Sequence, residues 1–208
     1  MPASNEPVRL LASQTDRAVE VLTQAFQADP MYAYFFSDPR EQARSLPGLW
    51  GGLVGYILRY GEVYTTAQVS GVACWLGPGN TDMTFWRMLR TGMRLARAFM
   101  RFPPDARRKS QAVLGHVEKE HKRLMDKQPH WYLMALGIEP ARQGQGIGSK
   151  LIQPVLAQAD QAGVPCYLET ETEQNVAFYQ KHGFVVASTG PVPEHGLLLW
   201  MMVRAPQR

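Results

Sequence analysis

Cysteine is scarce in these 208 residues, with only Cys74 and Cys166 present. Each sits in an apolar run of strand character, and two thiols in a chain this long make no disulfide framework. They read as small core hydrophobes in a reducing cytosol, so a cytoplasmic location is expected. Histidine is also rare. His116 and His121 have no thiolate or third imidazole nearby, which argues against zinc, and no metal is expected. Long hydrophobic runs are missing. The longest near-continuous one, Gly196 to Val203, has a strand's length, well short of the ~20 apolar residues of a membrane span. Residues 1–6 lack the basic-then-apolar layout of a secretory leader. No internal repeat, low-complexity tract or linker interrupts the chain, so one domain over 1–208 is expected.

What remains is an ordinary globular composition, 45% hydrophobic with a mean hydropathy of −0.25. A net charge of +4 and a pI near 9.2 favour anionic partners mildly. No nucleic-acid-binding module is legible, so nucleic acid is not expected as a partner.

Periodicity divides the chain into elements. A short strand is expected over 8–13. Thr15 then caps a helix whose apolar positions Ala18, Val21, Leu22, Ala25 and Phe26 recur at helical spacing. Asp29-Pro30 ends it, and an aromatic cluster follows over 31–36. A second helix is expected over 41–60 despite its glycines, then a hairpin over 62–69 and 71–76. Residues 83–126 read as two helices broken by Phe102-Pro103-Pro104. The last third reads as strand 131–138, helix 146–162, strand 165–171, helix 174–182, and strands near 184–189 and 197–204.

One feature of the middle segment stands apart. Arg87, Arg90, Arg94, Arg97 and Arg101 recur at spacings of three and four, one face of a single helix. That pattern suits a solvated face, a lid over phosphates, or an anionic lipid surface.

Chemistry concentrates between the 131–138 strand and the 146–162 helix. Gln143-x-x-Gly146-x-Gly148 places glycines where the first helical amides lack partners and the helix dipole is positive. Glycine allows close approach to the backbone, so the loop suits a pyrophosphate. The dinucleotide fingerprint fails on spacing, since Ser149 stands where its third glycine belongs. The P-loop fails on order, because Gly148-Ser149-Lys150 is not G-K-[ST].

The pattern Q/R-x-x-G-x-G/A resembles the acetyl-coenzyme A loop of the GNAT acetyltransferases. A second stretch, Asn175-Val-Ala-Phe-Tyr179 followed by Gly183-Phe184, resembles that family's later signature. Together with Pro129-His-Trp-Tyr-Leu, Ala162-Gly-Val-Pro165 and Leu168-Glu-Thr170, the motifs are most similar to the puromycin N-acetyltransferase-like members. The resemblance implies an α/β GNAT fold: a mixed central sheet with helices on both faces and, here, a helical insert around 83–126. It implies an acetyl-CoA-dependent N-acetyltransferase acting by direct attack of a small-molecule primary amine, as monomer or homodimer. Acetyl-CoA would be held by Leu136, Gly137, Ile138, Gln143, Gly144, Gln145, Gly146, Ile147, Gly148, Ser149 and Asn175, with Gly137 permitting an irregular backbone. Tyr179 would be the general acid.

Three glutamates, Glu169, Glu171 and Glu173, alternate along a strand and so share a face. Like charges in a cleft raise one another's pKa, and Glu169 is ranked first as the base, with a water relay as competitor. His182 is expected to cap a helix C-terminus as a cation. Phe26, Tyr32, Tyr34, Phe35, Phe36 and Trp75 are candidate walls of the acceptor site. Two other readings stay open: an acyl-CoA-binding sensor without turnover, and a basic membrane- or nucleic-acid-associated protein centred on 83–109.

Overall fold

Ala18, Val21 and Leu22 are fully buried along α1 (Thr15–Ala25) in the computed structural model, which describes residues 5–192 and 196–207. Ahead of it, β1 (Pro7–Arg9) is shorter than expected, because the chain turns into a 3-10 turn at Ala12–Gln14. α1 stops at Ala25, ahead of the expected end at Asp29-Pro30, and Asp29 instead starts the next helix. Its carboxylate accepts from the amides of Met31 at 3.0 Å and Tyr32 at 3.4 Å, with Pro30 in the first turn, and so starts α2 (Pro30–Phe35). The aromatic cluster is therefore a short helix. Asp38 and Pro39 repeat the device at α3 (Pro39–Tyr60).

A hairpin of β2 (Gly61–Thr66) and β3 (Gly71–Leu76) follows. The insert then holds three helices, not two: α4 (Phe85–Arg90), α5 (Arg94–Met100) and α6 (Pro104–Met125). The additional break lies at Gly92 and Met93, whose φ values are +71° and +55°. Left-handed residues cannot continue a right-handed helix. The arginines consequently fall on two helices, Arg87 and Arg90 on α4, Arg94 and Arg97 on α5, with Arg101 as C-cap. They do not form one face of one helix. One glycine of α3 is explained here: a Cβ on Gly52 would stand 2.6 Å from Leu95 Cα, so α5 packs directly on the α3 backbone.

The last third comprises β4 (Trp131–Ile138), α7 (Ile147–Ala162), β5 (Cys166–Thr170), α8 (Glu173–Gln180), β6 (Val185–Pro191) and β7 (Leu198–Arg204). One seven-stranded mixed sheet runs β1-β2-β3-β4-β5-β7-β6. Among the described residues, only β4 and β5 pair in parallel. Strand alternation sends Val72, Cys74, Leu76, Tyr132 and Tyr167 to a core with α1, α3, α5 and α6. Ala73, Trp75, Trp131, Leu133, Cys166 and Leu168 go to a second core with α7 and α8. Helices thus cover both faces, as expected for the α/β class. Among the described residues, no helix is long and apolar enough to cross a membrane.

Two irregularities position the site. β4 and β5 pair only at Trp131↔Cys166 and Tyr132↔Tyr167, then part. On its other side β4 carries one extra residue, Met134, between the pairs Cys74↔Ala135 and Trp75↔Leu133. A bulge of this kind bends a strand and sharpens its twist, which carries β4 away from β5.

Candidate active site

Where β4 and β5 separate, a cavity of about 220 Å³ opens. Phe26, Tyr32, Trp50, Leu53, Phe99 and Val117 are among its apolar walls. The Phe26 and Trp50 rings lie 4.7 Å apart and those of Tyr32 and Trp50 5.7 Å apart. Polar groups come from Asp29, Tyr132, Glu169, Glu171, Asn175 and Tyr179. Among the described residues, no lysine, arginine or histidine lines it.

Three carboxyl groups therefore share a largely apolar space without a counter-cation, and each becomes harder to ionise. Burial pushes Glu169 up to about 7, although hydrogen bonds from neighbouring phenols oppose the rise. Tyr132 Oη donates to both Glu169 oxygens, at 2.7 and 3.0 Å. Asp29 is pushed up to about 6, again by burial, against the two amides that it caps. Glu171 is raised well above the carboxylate range by burial, then by the charges of Asp29 and Glu169. Tyr179 is raised by burial and by Glu171, so its phenol keeps its proton at neutral pH. Behind Tyr132, His121 and His130 share a 2.7 Å Nε2···Nε2 contact, and His121 stacks on Tyr167 at 4.6 Å. Burial lowers both imidazoles, which are neutral at pH 7.

α8 sets Asn175 and Tyr179 one turn apart on the cavity side. Thr172 starts that helix by accepting from the Asn175 amide at 3.2 Å. Residues 143–146 form the approach to α7. Gly144 and Gly146 have φ of +75° and +74°, a conformation that glycine adopts without strain, and space is open where their Cβ atoms would be. Among the described residues, no side chain caps the α7 N-terminus, so its leading amides are left without a side-chain acceptor. Gln143 Nε2 reaches back to Ile138 O at 3.2 Å and ties the loop to the end of β4. At Gly148 a Cβ would lie 3.4 Å from Phe178 and 3.6 Å from Leu136, so the first turn of α7 sits against both α8 and β4.

Several expected residues stand elsewhere. Of the proposed walls, Phe26, Tyr32 and Phe35 line the cavity. Trp75 does not: alternation along β3 turns it to the opposite core, against α7. Phe36 does not either, because it is buried against Phe102 at 4.9 Å. Glu173 is exposed in the first turn of α8, since β5 ends before it and the strand alternation stops. Gly137 has no unusual φ. It is small because α1 crosses there, and a Cβ would meet Leu22 Cδ2 at 2.9 Å. His182 is no cationic cap: burial lowers its pKa, and its Nε2 meets Ser149 Oγ at 3.0 Å. Sequence reasoning overlooked Asp29, read only as a helix terminator, and Tyr132, whose phenol faces Glu169. An acid preceding Pro-Met-Tyr was the available signal for the first.

The model of the acetyltransferase (GNAT) family matches residues 87–184. An uncharacterized N-acetyltransferase of Schizosaccharomyces pombe is 30% identical over 183 residues, spanning 85% of this chain and 73% of its own. Among solved structures, a histone acetyltransferase HPA2 and related acetyltransferase from Corynebacterium glutamicum aligns with a TM-score of 0.67 at 22% identity, covering 98% of this chain and 97% of that one. Arylalkylamine N-acetyltransferase 2 from Aedes aegypti aligns at 0.62 with 16% identity, covering 97% and 99%. At such identities the two structures speak for the fold. Members of the family use acetyl-CoA as acetyl donor. With the relative's identity and coverage beside the motifs at Gln143–Gly148 and Asn175–Phe184, the chain belongs to the GNAT family of acetyltransferases and is an acyltransferase.

Proposed function

We propose that the protein, acting as one domain, transfers an acetyl group from acetyl-CoA to the primary amine of a small, ring-bearing or otherwise apolar molecule. One observation carries this reading. A single cavity brings together a carboxyl group that titrates near 7, a protonated phenol and the β4 edge released by β5.

The residues present fit the donor. The uncapped start of α7 and the open space before Gly144 and Gly146 suit a diphosphate. When bound, acetyl-CoA supplies the activated acetyl thioester. The backbone amides of Leu136 and Ile138, which alternate away from β3 on a strand without a β5 partner there, are available to align it and to stabilise charge developing on its carbonyl oxygen.

An amine arrives as an ammonium ion, and the acidic cavity attracts it. Glu169 takes the proton. At neutral pH it is about half ionised, a state suited to proton exchange near the working pH. Tyr132 holds both Glu169 oxygens and fixes the direction of transfer. The aromatic walls orient the acceptor and exclude water. Tyr179 donates its proton to the departing sulfur. Its raised pKa keeps that proton available until charge develops.

Thiol release measured with acetyl-CoA and a panel of aromatic and alkyl primary amines tests the reading. Amine-dependent release supports it. Tight donor binding with no release from any amine contradicts it and favours a sensor.

A further inference from the structure

The insert contains a surface that the acetyl-transfer reading does not use. Between Asp82 and Asp105 the chain holds five arginines and no acidic residue. α4 is turned inside out: Phe85 is 58% exposed, Trp86 68% and Leu89 47%. Arg87, on the same helix, points inward. Its guanidinium donates to Asp82 O at 2.9 Å and Gly79 O at 2.8 Å and lies over the Tyr60 ring. On α5, Leu95 and Ala98 are buried, whereas Arg94, Arg97, Met100 and Arg101 are exposed. Arg59, Arg90 and Arg94 line one open groove with Gly52, Gly55 and Gly92. None of the five insert arginines makes an ion pair among the described residues.

Single exposed apolar residues are common, but large aromatic and aliphatic groups gathered on one helical hairpin mark an interaction surface. The mixture narrows the partner. Trp, Phe, Leu and Met beside uncompensated arginines is the composition of elements that lie in the headgroup layer of a bilayer. A second copy of this chain fits poorly, because an isologous contact would bring its arginines against themselves. Nucleic acid would meet the arginines, yet it would leave Leu89 and Met100 without apolar partners.

We propose that the α4–α5 hairpin docks on an anionic lipid bilayer. Phe85, Trp86, Leu89 and Met100 enter the headgroup–acyl boundary, and Arg90, Arg94, Arg97 and Arg101 meet lipid phosphates. The groove shared by Arg59, Arg90 and Arg94 seats one such headgroup. The inner side of the hairpin, Leu95 and Phe99, walls the acceptor cavity, so the bilayer lies beside that cavity. The inference is independent of the proposed reaction.

Flotation of the full chain with vesicles tests it. The protein should float with vesicles of phosphatidylcholine containing about 30% phosphatidylglycerol, should not float with phosphatidylcholine alone, and should lose most binding in about 0.5 M salt. Arg90→Ala, Arg94→Ala and Arg101→Ala combined should lower the partition coefficient about a hundredfold. The matching lysine triple should retain most of it. Trp86→Ser with Leu89→Ser should weaken docking to anionic vesicles. These side chains are exposed, so an unchanged melting temperature shows that the fold is intact. Equal binding to both vesicle types, or no binding, overturns the proposal. So does duplex DNA stripping the protein from anionic vesicles at equal phosphate, or a dimer that Trp86→Ser dissolves.

Discussion

Replacing Glu169 with glutamine should make the protein less active and, above neutral pH, more stable. Glutamine keeps the shape and an oxygen to accept the Tyr132 hydrogen bond, but it needs no ionisation inside the cavity. Glu169 titrates near 7 in the fold, against an ordinary value of 4.5. The folded state therefore binds this proton more tightly than the unfolded chain does. That contribution is complete below pH 4.5 and is lost as the pH rises through 7. By pH 8 an ionised Glu169 costs the fold about 3 kcal/mol, taking 1.36 kcal/mol per pKa unit, an upper limit because cavity water offsets part of the burial. For a chain of this size that corresponds to a melting temperature up to about 6–12 °C higher in the variant. Thermal melts of both proteins from pH 4 to pH 8 read it out: the curves should converge near pH 4 and separate progressively above it. Turnover should fall about a hundredfold or more. A stability gap independent of pH, or a glutamine variant with full turnover, would refute the assignment of Glu169 as a buried base.

Other substitutions probe separate parts of the account. Tyr179→Phe should lower kcat about a hundredfold or more with donor affinity unchanged, measured by steady-state kinetics beside calorimetric binding; unaltered kcat removes the acid role. Tyr132→Phe withdraws a hydrogen bond that favours ionised Glu169, so the rising limb of the pH–rate profile should move up from about 7 by about one pH unit. A limb that stays in place shows that Tyr132 does not position the base. Gly146→Asp adds a side chain at φ +74° and a negative charge beside the α7 amides; donor affinity should fall at least tenfold by calorimetry, and unchanged affinity means that the diphosphate binds elsewhere. Gly52→Ala should cost about 1–3 kcal/mol, because its Cβ would stand 2.6 Å from Leu95 Cα. Gly55→Ala, with nothing within 4 Å, should add about 0.5–1 kcal/mol of helix propensity. Denaturant melts that rank the two alike would contradict α5 packing on α3.

The last third of the chain was legible because its signals are local. Glycine spacing, a strand-to-helix switch and the Asn175–Tyr179 turn can be read without knowing what packs on them. The front half was harder because tertiary contacts decide it. Trp75 lies on a strand buried on both faces, where alternation gives two sets of side chains but not which set meets the cavity. The arginine spacing runs unbroken through Gly92 and Met93, so periodicity alone joined two helices that left-handed residues separate. Gly52 of α3 looked like a defect in a helix and is the seat of another one. Asp29 belongs to no motif and reads only as a stop, although it caps the helix that follows it; Tyr132 lies in the Pro129-His-Trp-Tyr-Leu stretch but acquires its role only from the approach of Glu169, which is remote in the sequence.

The central claim is that the α7 amides grip the donor's diphosphate and thereby aim its thioester at the gap between β4 and β5. A crystal structure with acetyl-CoA bound tests this most directly. Phosphate oxygens should lie about 3 Å from the amides at 145–148, with the acetyl carbonyl against Leu136–Ile138 and the sulfur within reach of the Tyr179 hydroxyl. Donor density anywhere else, or a sulfur directed away from Glu169 and Tyr179, would contradict the account.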